Sequence, residues 1–145
     1  MTISLDADHI LLGQAYSTKQ EVIQTIGEIM VAHGEVTRRY VEGMLQKEAI
    51  LSTWVTEGVA LPHGTNEVKN EVVKSSVVLI QIPQGIDWGA GRTVRLVFGL
   101  AGKGDEHVKL LTGIARVLQD AGSVAKLGSA RDKDEVVRIL RNGAN

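Results

Sequence analysis

No cysteine occurs in this chain, which removes disulfides, thiolate nucleophiles and cysteine-ligated metal from its chemistry. Aromatic residues are nearly as scarce: one Phe, two Trp and two Tyr leave little platform for stacking bases or sugars. Neither sign of charge predominates, because 16 Lys and Arg stand against 17 Asp and Glu. The basic excess that accompanies nucleic-acid binding is therefore missing. No apolar run approaches the ~20 residues needed to cross a bilayer. The opening Met1-Thr2-Ile3-Ser4-Leu5-Asp6 lacks the basic and apolar regions of a signal peptide, so a cytoplasmic location is expected. Proline is limited to Pro62 and Pro83, whereas glycine reaches 16, a balance suited to many tight connections. What remains is 145 residues, 43% of them hydrophobic, with no repeat or linker. One domain over residues 1–145 is expected, burying roughly 70% of its unfolded surface.

Hydrophobic periodicity then divides the chain. Thr18 with Glu21 three residues later reads as a capping box, and Val22, Ile26, Ile29 and Met30 follow at helical spacing until Gly34. A second helix is predicted from Thr37, with Tyr40, Val41, Met44 and Leu45 as its apolar stripe. Lys47 falls on the edge of that stripe, where its stem can lie along the core and its ammonium can reach the rim. A short strand is expected at Gly58 to Leu61 and a doubly buried one at Ser76 to Ile82. Pro83-Gln84-Gly85 should end the latter, leaving Ile86-Asp87-Trp88-Gly89 as an exposed excursion. Val94 to Ala101 reads as another strand, Glu106 to about Asp120 as a helix, and Asp132 with Glu135 as the cap of a last helix. Helices alternating with apolar strands imply an α/β fold. The expected form is a three-layer sandwich: a mixed, mostly parallel sheet of about five strands with helices on both faces.

Two histidines stand out in that frame. His63 follows Pro62, which ends a strand, and precedes Gly64, whose missing Cβ lets a ligand approach the backbone. A histidine in a turn is more often a surface residue than a catalyst, but one just past a strand's carboxyl end lies where α/β sheets place their sites. His107 occupies the stripe of Leu111 and Ile114 one turn earlier, at a helix N-terminus that favours anions. His9 reads as structural or exposed, and His33 as a residue of a last helical turn, where a cation meets the dipole favourably. Several chemistries lack their motif: H-E-x-x-H for zinc, G-x-S-x-G for a nucleophilic serine, and G-x-x-x-x-G-K-[ST] for nucleotide phosphates. A histidine that itself accepts a phosphoryl group fits better and needs no cofactor or metal. The candidate donors to that group are the Gly64 and Thr65 backbone, the Thr65 hydroxyl, Lys47 and His107.

The run Glu57-Gly58-Val59-Ala60-Leu61-Pro62-His63-Gly64-Thr65 resembles the active-site signature of the mannitol/fructose class of enzyme IIA, phosphocarriers of the bacterial phosphoenolpyruvate:sugar phosphotransferase system. The resemblance continues through Val41-Glu42-Gly43-Met44-Leu45, Gln84-Gly85-Ile86 and Asp105-Glu106-His107, and extends from about Ala15 to Leu140. Gly64-Thr65 and the Val41–Leu45 block are closest to the mannitol branch. It implies that His63 takes a phosphoryl group from phospho-HPr and passes it to a cysteine on the EIIB domain of a membrane EIIBC permease. It further implies that His107 stabilises the group and that Glu57 lies beside the site. Lys47 stands where the mannitol branch has an arginine, keeping the charge but not the bidentate fork. Transient docking would use an apolar ring around His63, for which Leu61, Ile86 and Trp88 are the candidates. Nitrogen-type relatives of this class suggest an alternative, a regulatory module that binds partners according to His63 phosphorylation.

Overall fold

Unbroken burial from Ser76 to Ile82 reflects a strand covered on both faces, as its continuous apolar run anticipates. The structure, a computed structural model, describes residues 5–144. Met1–Ser4, part of the segment read above for export signals, lie outside the described residues. Five strands form one sheet: β1 (Ile10–Leu11), β2 (Trp54–Thr56), β3 (Gly58–Ala60), β4 (Ser76–Asp87) and β5 (Thr93–Ala101). Their spatial order is β1-β4-β5-β3-β2. Helices α1 (Lys19–Ala32) and α2 (Arg38–Ile50) cover one face. Helices α3 (Glu106–Leu118), α4 (Ala121–Ser129) and α5 (Lys133–Ala144) cover the other. This is the mixed α/β sandwich expected. Its four pairings divide evenly: β1–β4 and β3–β5 are parallel, while β4–β5 and β2–β3 are antiparallel. Connection length explains the division, since short turns permit only antiparallel neighbours and parallel ones need longer crossovers.

Alternate side chains of the sheet feed two cores. Val78, Ile80 and Ile82 pack with Ile23, Ile26 and Met44 on the α1–α2 side. Val77, Leu79 and Phe98 pack with Leu110, Ile114 and Leu140 on the other. The caps follow the sequence closely. Thr18 Oγ1 accepts from Glu21 N at 3.1 Å, and Glu21 Oε2 returns to Ser17 N rather than to the cap residue, also at 3.1 Å. Asp132 Oδ1 accepts from Glu135 N at 2.8 Å ahead of α5. Among the described residues no helix is long and apolar enough to cross a membrane.

Elsewhere the structure corrects the reading. β4 continues through Pro83 to Asp87, with a register shift between Gln81 and Ile86. Pro83 lies past the end of two-residue β1, so no neighbouring strand there calls for its missing N–H. Ile86 and Trp88 are not an exposed excursion; both are buried in the α1–α2 core, Trp88 to 1% exposure. The last stretch of β4 stays on the same core because Ile86 and Trp88 keep the parity of Val78, Ile80 and Ile82. α4 was not anticipated, since Gly122 and Gly128 weaken its helical signal. Asp120 caps it through Gly122 N, so α3 stops at Leu118. β1 and β2 are too short to show a period of two.

Candidate functional site

The short segment after β3 stays extended alongside β5. Ala60 lies opposite Val97, and His63 forms an isolated parallel bridge with Leu100. Leu100 N donates to Pro62 O at 2.9 Å, holding the residue before His63 against the sheet. His63 is half-buried, and its Nδ1 lies 2.8 Å from Leu61 O. A carbonyl can only accept, so Nδ1 carries the hydrogen, and in the neutral ring Nε2 is then the nitrogen with the lone pair. This local bond leaves Nε2 as the one nitrogen of the neutral ring open to an incoming group.

β5 delivers the second histidine to the same rim. It runs from Leu100 into a loop, Gly102 to Asp105, and α3 begins at Glu106. The loop turns sharply back: a Cβ on Gly102 would sit 2.3 Å from His107 Cα and 2.6 Å from its N. Glycine is therefore what lets α3 start so close to the strand end. Ser75 Oγ fastens the same corner, donating to Glu106 Oε1 at 2.7 Å and accepting from Lys103 N at 2.9 Å. His107 is half-buried, with its ring centroid 5.7 Å from that of His63 and the planes inclined by 59°. Burial holds its pKa below the ordinary histidine value, and the nearby His63 adds to the effect.

The supporting residues divide. Thr65 is half-buried, and its Oγ1 is buried with no hydrogen-bond partner among the described residues, two positions after His63. Gly64 is tight for a reason other than ligand approach: a Cβ there would meet Tyr40 Cε1 at 2.6 Å and Val68 Cγ2 at 2.8 Å. Its N–H is also spoken for, donating to Tyr40 Oη at 3.0 Å, so it is not a free donor. Lys47 is half-buried near the end of α2 and shares no hydrogen bond or ion pair with either histidine. It lies seven residues, about 10 Å of helix rise, beyond Tyr40. Glu57 is not beside the site. It is exposed in the β2–β3 turn, and six extended residues carry the chain roughly 20 Å from it to His63. Ile86 and Trp88 sit at the β4–β5 hairpin end, pairing with or flanking Val94, and Leu61 is buried. They form no ring around His63. Val108, the residue after His107, is exposed in the first turn of α3.

Sequence reasoning placed Tyr40 in the core stripe and missed its polar role. Its ring is 3% exposed, while its hydroxyl donates to Leu100 O at 2.8 Å and accepts from Gly64 N. Burial raises its pKa to about 12, with the Gly64 bond opposing in part. The available signal was general: a buried tyrosine hydroxyl usually finds a partner. The other two histidines serve the fold. His9 Nε2 lies 2.9 Å from both carboxylate oxygens of buried Glu35, and His33, at the α1 C-cap, stacks obliquely on His9 at 4.6 Å. Among the described residues no group of three or more His, Asp or Glu is arranged to hold a metal ion.

Fold and rim define an α/β protein with a pair of neighbouring histidines at adjacent strand ends, one of them fixed through Nδ1 to a backbone carbonyl. The chain belongs to the family described as phosphoenolpyruvate-dependent sugar phosphotransferase system, EIIA 2, whose profile matches residues 3–143. It is 37% identical over 136 residues to a mannitol-specific phosphotransferase enzyme IIA component of Bacillus subtilis, covering 94% of this chain and 95% of that one. Its fold is similar to enzyme IIA-mannitol of Escherichia coli in complex with phosphorylated enzyme IIB-mannitol. There the TM-score is 0.90 and the identity 35%, covering 96% of this chain and 98% of that one. A crystal structure of Escherichia coli IIA-mannitol is similar with a TM-score of 0.87 at 36% identity, over 95% of this chain and 99% of the other. The chain is thus a component of a sugar phosphotransferase system.

Proposed function

We propose that this chain relays a phosphoryl group on His63 Nε2 between two protein partners. It takes the group from phospho-HPr and passes it to the cysteine of the EIIB domain of a membrane EIIBC permease, working on the cytoplasmic side. The transported sugar is mannitol or a related hexitol or fructose. The observation that carries this reading is the Nδ1–H bond to Leu61 O, which leaves Nε2 unprotonated beside His107. In the forward step the Nε2 lone pair attacks phosphorus, the donor's P–N bond breaks, and its electron pair returns to the HPr imidazole. The product ring keeps its Nδ1 proton, and the Leu61 carbonyl stabilises the positive charge that spreads over it. In the second step the EIIB thiolate attacks phosphorus and the electron pair of the Nε2–P bond goes back to His63.

His107, the Thr65 hydroxyl and the α3 N-terminus supply the donors for the phosphoryl oxygens, the main requirement of a loose transition state. Lys47 reaches the phosphorylated site as a point charge, not as a fixed clamp. Docking uses the rim bearing Val108. No cofactor takes part. The mannitol-specific names of relatives at 36–37% identity favour the carrier over the regulatory alternative. Incubation with phosphoenolpyruvate, enzyme I and HPr, followed by intact-mass measurement, tests the reading. One acid-labile phosphoryl group is expected, absent from His63→Ala; a labelled His63→Ala would overturn the assignment.

A further inference from the structure

We propose that Tyr40 is a positioning residue whose hydroxyl, inserted between Gly64 N–H and Leu100 C=O, sets how far the His63 turn stands from the sheet. The inference rests on the reading of His63 as the phosphoryl carrier. In a parallel ladder, Leu100 should bond the residues on both sides of its partner His63. One rung is direct, from Leu100 N to Pro62 O at 2.9 Å. In place of the other stands a relay, Gly64 N to Tyr40 Oη at 3.0 Å and Tyr40 Oη to Leu100 O at 2.8 Å. The wedge opens the strand pair immediately after His63, so Gly64 and Thr65 peel off the sheet while Pro62 stays on it.

The brace is built to stay in place. Tyr40 comes from α2, a separate layer, and its ring fills the space a Gly64 side chain would need. The hydroxyl remains protonated at neutral pH and so keeps donating. One oxygen thereby ties the turn carrying His63 to the strand end that leads into His107. Without it, Gly64 N–H and Leu100 C=O must either close directly, pulling the turn inward, or lose their partner, the Leu100 carbonyl in a buried place. The first result moves the nucleophile and the second loosens the turn that holds it, and displacements near 1 Å are worth about 100-fold in well-aligned reactions.

Tyr40→Phe keeps the ring and removes both bonds. Nitrogen-15 NMR of the His63 imidazole in the unphosphorylated protein should find the Nδ1–H tautomer in the parent and a mixture of tautomers in Tyr40→Phe. Transfer from His63 to the EIIB domain should slow by about 10-fold or more. Val136→Ala, a cavity in distant α5, serves as a destabilised control and should change neither quantity. The proposal is overturned by a Tyr40→Phe protein with the parental tautomer and transfer within twofold. It is overturned equally by Val136→Ala reproducing the defect. If the parent itself takes no label on His63, the carrier reading falls, while the tautomer comparison still decides the role of Tyr40.

Discussion

His107 sits where burial favours its neutral form and where an anion on His63 would favour the protonated one. In the resting protein, burial and then the His63 ring disfavour its protonated form. Its folded-state pKa is therefore below the ordinary value of 6.5, and protons bind the unfolded chain more readily. The stability this neutral ring contributes is fully present above that value and is lost as pH falls from it toward the folded-state pKa. A phosphoryl group on His63 would reverse the local effect, setting an anion beside a ring that burial otherwise keeps neutral. His107 should then titrate at higher pH in the phosphorylated protein than in the free one, which imidazole nitrogen-15 shifts followed against pH would measure. A titration midpoint unmoved by phosphorylation would mean that His107 does not face the phosphoryl oxygens. On the proposed relay, the same residue would be neutral before transfer and would gain a proton when there is an anion to hold.

At the scale of elements, the site depends on two close approaches, one per histidine. α3 begins against the end of β5 because Gly102 offers no Cβ to its backbone. In Gly102→Ala the new methyl meets backbone atoms of His107, which have no rotamer to escape into. The first turn of α3 must shift, at a cost of about 1–3 kcal/mol typical of overpacking. Thermal unfolding should show that loss, and the transfer rate should fall with it as the two rings separate. A Gly102→Ala protein with parental stability and rate would mean that the α3 start has more room than 2.3 Å allows. Helix α1 depends on its cap in a more ordinary way, through Thr18 and Glu21, both legible in sequence because capping is local.

Across the whole molecule, buried Gln81 joins the two ends of the chain. Its Oε1 accepts from Gly13 N at 3.0 Å, and its Nε2 donates to Leu127 O at 2.9 Å and Ala130 O at 3.0 Å. A polar residue in an otherwise apolar strand thus anchors the segment before α1 and the end of α4 to β4. Gln81→Leu leaves those three backbone groups without their partner and should destabilise by about 3 kcal/mol, since each orphaned group costs ~1–3 kcal/mol. Urea unfolding would give the magnitude, and hydrogen exchange should locate the earliest opening in α4. Because α4 lies on the face opposite α1 and α2, the His63 tautomer should be untouched.

What could be read in the chain alone was whatever local chemistry decides. The caps at Thr18 and Asp132, the doubly buried Ser76–Ile82 strand and the helical phase placing His107 inward all follow from spacings within a few residues. So does the strand-end position of His63, since Pro62 and Gly64 are its neighbours. Tertiary structure alone decided which groups share the rim. It placed Glu57 at the far end of β3, buried Trp88 away from the site, and took the Gly64 N–H for Tyr40. Tyr40 and Gly64 are 24 residues apart, and nothing between them marks the contact. A hydrogen bond across layers depends on how helix and sheet pack, and sequence spacing carries no record of that distance. The histidine of the Leu61-Pro62-His63-Gly64 turn was legible from its own neighbours; its aim was set from α2.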